Sequence, residues 1–479
     1  MAGPRASRDY PEAAFQDPPP LVHPETVDAL RQAGLDVSTD AADRAEHGRD
    51  WWPVSLLDVI AGRVPSWPDA VVRVRDELQV ASALRICAAH ATPVTAQGGR
   101  SSVVGGAQPA LGAVALDTGG LSRIGPVDVV SGLVEVDAGV FGPDLESVLE
   151  THGLTVGHFP QSFEISTVGG WVASRGAGQF SNRYGTAADL VRALRVVLTD
   201  GRIIDVGARA PRAALGPDLL SLFVGSEGTL GVIVRATLVA RTRANFEQRR
   251  AFAVSSFGDG LDLCRRVVQR GAAPAVLRLY DEIEARRLFG HERAVLVVLD
   301  EGDEAMCRAR MSVLEQEAEG LEALDVGVVA RWLAHRNDVS ALGELWGRGV
   351  VVDTIEVAAP WSALSTLHEE ILAGLRGLEG TVMASVHQSH AYTDGACLYV
   401  TFAGVSEEPR EYYRHAWDMA MGVAARSGAL SHHHGVGRVR APYLAATLGP
   451  SFTVLSAIKA ALDPQGVLNP GVLGLASSS

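Results

Sequence analysis

Lysine is very scarce in this chain of 479 residues, and arginine carries nearly all of its positive charge. Lysine and arginine together number 42 against 56 aspartates and glutamates, a net charge of −14. That balance excludes a protein whose whole surface serves a nucleic acid. An anion must instead be met locally, by arginines, glycine-rich turns or helix N-termini. Cysteine is sparse too. Cys87, Cys264, Cys307 and Cys397 show no CxxC spacing, which argues against a disulfide framework or zinc site and fits a reducing, cytoplasmic setting. No uninterrupted apolar run reaches the ~18 residues of a transmembrane helix. Met1 is not followed by a secretory signal, and Ser477-Ser478-Ser479 is not a peroxisomal address. Gln97 to Gly106 holds no Gly-Lys-Ser/Thr, and no GxGxxG opens a helix after a first strand. A P-loop is thereby excluded and a Rossmann NAD site disfavoured.

Three glycine-rich segments stand out instead. They are Gln97-Gly98-Gly99-Arg100-Ser101-Ser102-Val103-Val104-Gly105-Gly106, then Gly157 to Trp171, then Gly225-Ser226-Glu227-Gly228-Thr229-Leu230-Gly231. Glycine has no Cβ, so such backbones can approach a bulky ligand closely. One loop alone reads equally well as an ordinary tight turn. Three in series suggest an extended ligand with a phosphate-bearing middle, held by successive amides.

Hydrophobic residues make up 47% and charged residues 20%, which fits a globular protein with a large core. The length suggests roughly two to four domains. Residues 1 to about 20 are polar and proline-rich, expected to be a floppy arm or one that orders on contact, and 24–35 read as a short helix. Strands are expected at 71–74, 93–96, 113–117, 121–124 and 133–136, with helices at 77–90 and 142–152. Thr199-Asp200-Gly201 between β-branched runs reads as a hairpin. A helix at 217–223 presents the third loop, and a strand at 232–238 closes the unit. Beyond about residue 244, strands and helices alternate in a second unit. Its strands fall at 252–254, 275–279, 294–299, 380–388 and 397–402, its helices at 258–271, 304–319 and 409–427. The class is α+β.

The order and wording of the loops resemble the vanillyl-alcohol-oxidase type of FAD-binding enzymes. The string His158 to Trp171, then Tyr184-Gly185, Thr393 to Tyr399 and Leu430-Ser431-His432-His433-His434-Gly435-Val436-Gly437 narrow the likeness to the alkyldihydroxyacetonephosphate synthase family, over about Trp67 to Gly471. The resemblance implies an FAD-binding domain of two subdomains at 66–244 and an α+β substrate cap at 245–440. An arm with helices at 1–65 precedes them, and 441–479 returns to the FAD domain. It assigns FAD to Ala96, Gln97, Gly98, Gly99, Arg100, Ser101 and Ser102 at the pyrophosphate. Gln161, Ser162, Phe163, Glu164, Ile165, Ser166 and Thr167, then Ser174, Arg175, Gly176 and Ala177, line the dinucleotide and ring edge. Glu227, Gly228, Thr229, Leu230, Gly231, Val232 and Ile233 complete the site along the adenosine. Ala96 to Ser102 contains neither His nor Cys, so FAD is expected without a covalent tether. Arg100 stands where the family prefers glycine and Gln161 where an acid is frequent. Arg100 takes positive φ less readily than glycine, so the loop is expected to be drawn differently there.

His432-His433-His434 admits several readings. In an extended segment His432 and His434 would share one face. Such imidazoles could bind a metal, but no acid or cysteine lies nearby in sequence, and no metal is expected. They could also be a solvated surface run. The resemblance places all three at the active site. Tyr399 is either a core tyrosine or, as the resemblance implies, the catalytic acid–base. The latter requires a pKa well below about 10. Arg278 could simply pair with Asp281; the resemblance implies instead that it binds substrate, and makes Arg336 the candidate for the family's phosphate-binding arginine. The implied function is FAD-dependent exchange of the acyl group of acyl-dihydroxyacetone phosphate for a fatty alcohol, in ether lipid synthesis. The alternative is an FAD-linked 2-hydroxyacid dehydrogenase or oxidase. The expected partner is a small-molecule or lipid substrate, with a homodimer and peripheral membrane contact left open.

Overall fold

The computed structural model describes residues 17–426 and 429–475. Most of the N-terminal arm, the end of the 409–427 helix and the Ser477-Ser478-Ser479 tail lie outside them. Strand Ala70–Arg73, helix Glu77–Ala89 and strand Val94–Gln97 form the first crossover unit. Asp76 caps the helix by accepting the Gln79 amide at 2.8 Å. Val80, Ala81, Ala83, Leu84 and Cys87 form its buried face, and burial pushes the Cys87 thiol up to about 12. All four cysteines are buried and unpaired. The sheet orders its strands 36–38, 70–73, 114–117, 94–97, with only the first pair antiparallel.

A five-stranded antiparallel sheet follows, in the order Ile124–Asp128, Leu133–Asp137, Val232–Val239, Val191–Val197, Ile203–Gly207. Its last pair is the expected hairpin, with Gly201 at φ 79° in the turn. The expected strand at 121–124 is displaced. Leu121 closes a turn onto the Thr118 carbonyl and plugs the core at 3% exposure, and the strand begins only at Ile124.

The cap holds a seven-stranded antiparallel sheet ordered 322–323, 246–254, 294–302, 276–280, 381–391, 395–405, 350–360. Helices Phe257–Gln269, Glu304–Glu317, Trp361–Gly377 and Pro409–Ala424 bury their apolar sides in its largest core cluster. A second cluster joins the sheet's Tyr280, Val295 and Val297 to Phe180 and Tyr184 of the first unit. Strand Val350–Pro360 and helix Trp361–Gly377 were not anticipated from the sequence. The fold is α+β: a first unit built on the four- and five-stranded sheets, and a second built on the seven-stranded sheet.

The chain then returns. Val94 donates to the Val467 carbonyl, and Asn469 donates to Val94, each at 2.8 Å. Lys459, the sole lysine, donates to the carbonyls of Thr229 at 2.9 Å and Leu468 at 2.8 Å, and pairs with Asp463. Among the described residues no single helix is long and apolar enough to cross a membrane; helices Ala441–Leu448 and Ser451–Leu462 meet at 119°.

Candidate active site

Register in the cap sheet aligns Glu356, Tyr399, His387 and Tyr280 as direct partners across four strands. Directly opposed residues share a face, so this row projects from one side of the sheet. His387 stacks on Tyr399 with ring centroids 4.7 Å apart and planes 11° apart. Next to the row, the pairing of strands 381–391 and 395–405 slips between Ser389 and Ala391. The extra residue, His390, takes φ 54°. A bulge of this kind re-aims a side chain, and here it brings His390 Nε2 to 3.0 Å from the Tyr399 hydroxyl.

The histidine triplet is not extended. The amides of His432, His433 and His434 all donate to Glu356 Oε1, at 2.9, 2.5 and 2.8 Å, and the Ser431 hydroxyl joins them at 3.0 Å. Successive amides of a strand point to opposite sides and cannot converge in this way. The expected alternation of faces is therefore replaced by a loop wrapped around one carboxylate. His433 Nε2 reaches the Tyr399 hydroxyl at 2.9 Å, His432 Nδ1 meets His433 Nδ1 at 2.9 Å, and His432 Nε2 meets the Tyr392 hydroxyl at 2.9 Å. His434 lies edge-on to the Tyr399 ring.

Burial would raise the Glu356 carboxyl, but Arg440 and the three histidines overcome it and hold the group well below the usual carboxylate range. Arg440 Nη2 lies 3.1 Å from Glu356 Oε2, with both side chains fully buried. Burial lowers every imidazole here: His390 and His433 well below the usual value, His432 below it, and His434 to about 4. They are neutral near pH 7. Burial also pushes the Tyr399 hydroxyl well above its ordinary value, the opposite of the lowering expected for an acid–base tyrosine. His390, His432 and His433 offer ligand atoms within 4.8 Å of one another, and Glu356 lies 3.4 Å from His433 Nδ1. A carboxylate is thus near the triplet in space though not in sequence, but these ring nitrogens are engaged in hydrogen bonds.

The three glycine loops meet below this site. A Cβ on Gly98 would strike the Thr167 hydroxyl, and one on Gly99 the Ile165 carbonyl. Arg100 does take the left-handed turn of a glycine, at φ 54°, and its guanidinium binds Glu46 at 2.6 Å and His47 at 3.0 Å. The departure from glycine therefore leaves the turn intact. Among the described residues, the amides of Gly99, Arg100, Ser101 and Ser102 find no acceptor within the chain. Four unused donors in succession suit a pyrophosphate. The Ser102 hydroxyl is turned inward, accepting the Gly106 amide at 3.1 Å and bonding the buried Asp50, so Ser101 alone remains as a hydroxyl donor. Gln97 is spent on the carbonyls of His47 and Ala107.

Ser166 and Thr167 are buried behind the cradle, whereas Gln161 and Glu164 are exposed and Phe163 packs into the core. Ser174 bonds back to Gly170, Arg175 at φ 58° bonds the Val224 carbonyl, and Gly176 and Ala177 are buried. Glu227, at φ 49°, accepts the amides of Val436 at 2.6 Å and Gly437 at 2.8 Å. Burial raises its carboxyl to about 7. Asn469 ties the system together: its amide donates to the carbonyls of Gly106 at 2.9 Å and Glu227 at 2.8 Å, and it accepts from Thr95 at 3.1 Å.

The two arginines named from sequence also converge. Arg278 and Arg336 both lie over the Trp332 ring, at 5.5 and 5.9 Å. Asp281 does not pair with Arg278; it caps helix Glu282–Phe289 instead. Arg278 Nη2 meets His387 Nε2 at 2.8 Å, and His387 Nδ1 meets Glu284 at 2.9 Å. Burial, then Arg278, lowers the affinity of Arg336 for its proton. Arg336 Nη1 also donates to the Leu333 carbonyl at 2.7 Å.

Two family profiles match the chain and together cover most of it: "FAD binding domain" over residues 68–207 and "FAD linked oxidases, C-terminal domain" over 246–473. The chain thus carries an FAD binding domain followed by the C-terminal domain of FAD linked oxidases. FAD is the cofactor, and the glycine cradle with its unused amides fits it. The alkyldihydroxyacetonephosphate synthase of Trypanosoma brucei brucei is 27% identical over 96% of this chain and 82% of that protein. The mitochondrial D-lactate dehydrogenase (cytochrome) of Arabidopsis thaliana is 28% identical over 97% of this chain and 83% of its own. A solved alkyldihydroxyacetonephosphate synthase superposes with a TM-score of 0.80 at 22% identity, covering 96% of this chain and 87% of that one. Relatives named for both chemistries thus align over nearly the whole of this chain.

Sequence reading missed Glu356 as the organiser of the triplet, and missed Arg440, His390, Tyr392 and Ser181. Glu356 sits with Asp353 in an otherwise largely apolar strand, where a buried acid is a usable signal. His390 gave none, because its placement depends on the bulge.

Proposed function

We propose that this enzyme exchanges the acyl group of acyl-dihydroxyacetone phosphate for a fatty alcohol, in the manner of an alkyldihydroxyacetonephosphate synthase with non-covalent FAD. The observation that carries the reading is the convergence of Arg278 and Arg336 over Trp332 on the same cap as Tyr399. A phosphate would take both guanidiniums, each forming charge-assisted bonds. His387 holds Arg278 at 2.8 Å and stacks on Tyr399, so the anion seat and the tyrosine are positioned by one imidazole. FAD, when bound, supplies an electrophilic, reducible ring at the reacting carbon. Tyr399 moves the substrate proton, and the neutral histidines shape the site and receive it.

A 2-hydroxyacid oxidoreductase is the second reading, favoured by the likeness to D-lactate dehydrogenase. The test is incubation of the purified holoenzyme with acyl-dihydroxyacetone phosphate and a labelled long-chain alcohol. Appearance of the alkyl product without flavin bleaching supports the transferase. Absence of exchange, with persistent anaerobic bleaching by 2-hydroxyacids, replaces it with the oxidoreductase.

A further inference from the structure

We infer that Ser181, Tyr392 and His390 belong to the proton-handling machinery of Tyr399, as members of a closed ring of hydrogen bonds. Ser181 Oγ lies 2.6 Å from His390 Nδ1, and His390 Nε2 lies 3.0 Å from the Tyr399 hydroxyl. That hydroxyl is 2.9 Å from His433 Nε2, and His433 Nδ1 is 2.9 Å from His432 Nδ1. His432 Nε2 is 2.9 Å from the Tyr392 hydroxyl, which closes on Ser181 Oγ at 3.5 Å, the longest link. Five members come from the cap and its return loop. Ser181 comes from helix Ser181–Tyr184 of the FAD domain.

Counting protons shows what the ring can do. With its imidazoles neutral, each of the six groups carries one proton for bonding, and there are six contacts to fill. Every group then donates once and accepts once. Two senses of circulation satisfy every member: Tyr399 donates either to His390 with all others following, or to His433 with all others reversed. Such chains polarise one another cooperatively.

A buried phenol whose ionised form is disfavoured is a poor base by itself. It can take a proton only if its own leaves in the same step. The ring supplies that exit. As the substrate C–H bond breaks and an O–H bond forms at Tyr399, the phenolic O–H bond breaks and an N–H bond forms at His390 Nε2 or His433 Nε2. The electron pair stays with the substrate. The ring holds one extra proton, with the Glu356 carboxylate 3.4 Å from His433 Nδ1 as counter-charge. The reverse shift returns the proton, so the ring is unchanged over a cycle. This inference rests on the acid–base role given to Tyr399 under the proposed function, but not on the identity of the substrate.

The experiment uses FAD-loaded enzyme labelled with ¹⁵N-histidine, as wild type, Ser181→Ala, Ser181→Thr and Tyr392→Phe, with flavin content and Tm as folding controls. Without substrate, a ring requires that Tyr392→Phe move the imidazole resonances of His433 and His390 as well as His432. A change confined to His432 overturns it. In turnover, Ser181→Ala and Tyr392→Phe should lower kcat by about tenfold or more with KM within about twofold. They should raise the solvent deuterium isotope effect, and Ser181→Thr should restore both. Wild-type kcat and isotope effect in Ser181→Ala and Tyr392→Phe overturn the inference. Because the resonance measurement uses no substrate, failure of acyl exchange in the wild type sinks the proposed function while leaving the ring to be judged separately.

Discussion

Glu227 and Glu356 hold the same loop from opposite domains. Glu356, on a cap strand, collects the amides of His432, His433 and His434, and Glu227, on the third glycine loop, collects those of Val436 and Gly437. Only Gly435 separates the two sets, at φ 86°. The histidines are thus fixed relative to the flavin cradle by two buried carboxylates rather than by their own side chains.

Replacing Glu356 with glutamine should remove the charge facing fully buried Arg440 and cost about 3–5 kcal/mol, as breaking a buried pair does. Urea unfolding of the holoenzyme measures it, and a midpoint unchanged from wild type would contradict it. The Glu356 carboxyl lies below its ordinary 4.5 when folded. Its stabilisation is therefore complete above about pH 4.5 and is lost progressively as the pH falls. Glu227 acts in the opposite sense. Its carboxyl rises to about 7, so the folded chain holds that proton more tightly and stability declines as pH rises from 4.5 to about 7. Glu227→Gln should flatten that part of the profile.

Tyr399→Phe removes one hydroxyl that two imidazoles share. Flavin content and thermal stability should change little, while kcat falls by on the order of 10²–10⁴. His433→Ala should be equally inactive and should also perturb the flavin spectrum. Full turnover in Tyr399→Phe would return this residue to a packing role.

Arg278→Ala and Arg336→Ala should each raise KM for a phosphorylated substrate by roughly 10–100-fold, the equivalent of losing charged hydrogen bonds of about 1.5–3 kcal/mol. Lysine at 336 should not restore affinity, because a point charge lacks the planar fork. Equal KM values for wild type and Arg336→Ala would remove Arg336 from the anion seat.

At the cradle, Gly99→Ala and Thr167→Ile should deplete FAD. The first drives a methyl into the Ile165 carbonyl, and the second forces a branched chain against Gly98, an overpacking of about 1–3 kcal/mol. The A450/A280 ratio after purification reports the loss. Acid precipitation of the wild type should leave free FAD in the supernatant, since the pyrophosphate loop carries no tethering His or Cys.

The sequence made the cradle legible because glycine loops are local: Gly98, Gly99 and Thr167 meet as their order suggested. The tyrosine, the triplet and both arginines were legible as a set through resemblance. Their geometry was not. The triplet's loop depends on Glu356, 76 residues before His432, and His390 depends on a bulge that shifts register by one residue. Strand Val350–Pro360 was missed because the apolar runs 350–352 and 357–360 and the adjacent Asp353 and Thr354 break the period of two. The sign of the Tyr399 shift escaped because it is set by burial in the folded chain, a property of packing rather than of neighbours in the chain.

Asn469 gives the molecule an order of assembly. Its side chain bonds Gly106, Glu227 and Thr95 at once, so the first and third loops are pinned by a residue that follows Glu227 by 242 positions. During synthesis both domains emerge from the ribosome, and can begin to fold, before this clasp exists. The flavin seat in this form is therefore complete only in a chain that extends through residue 469.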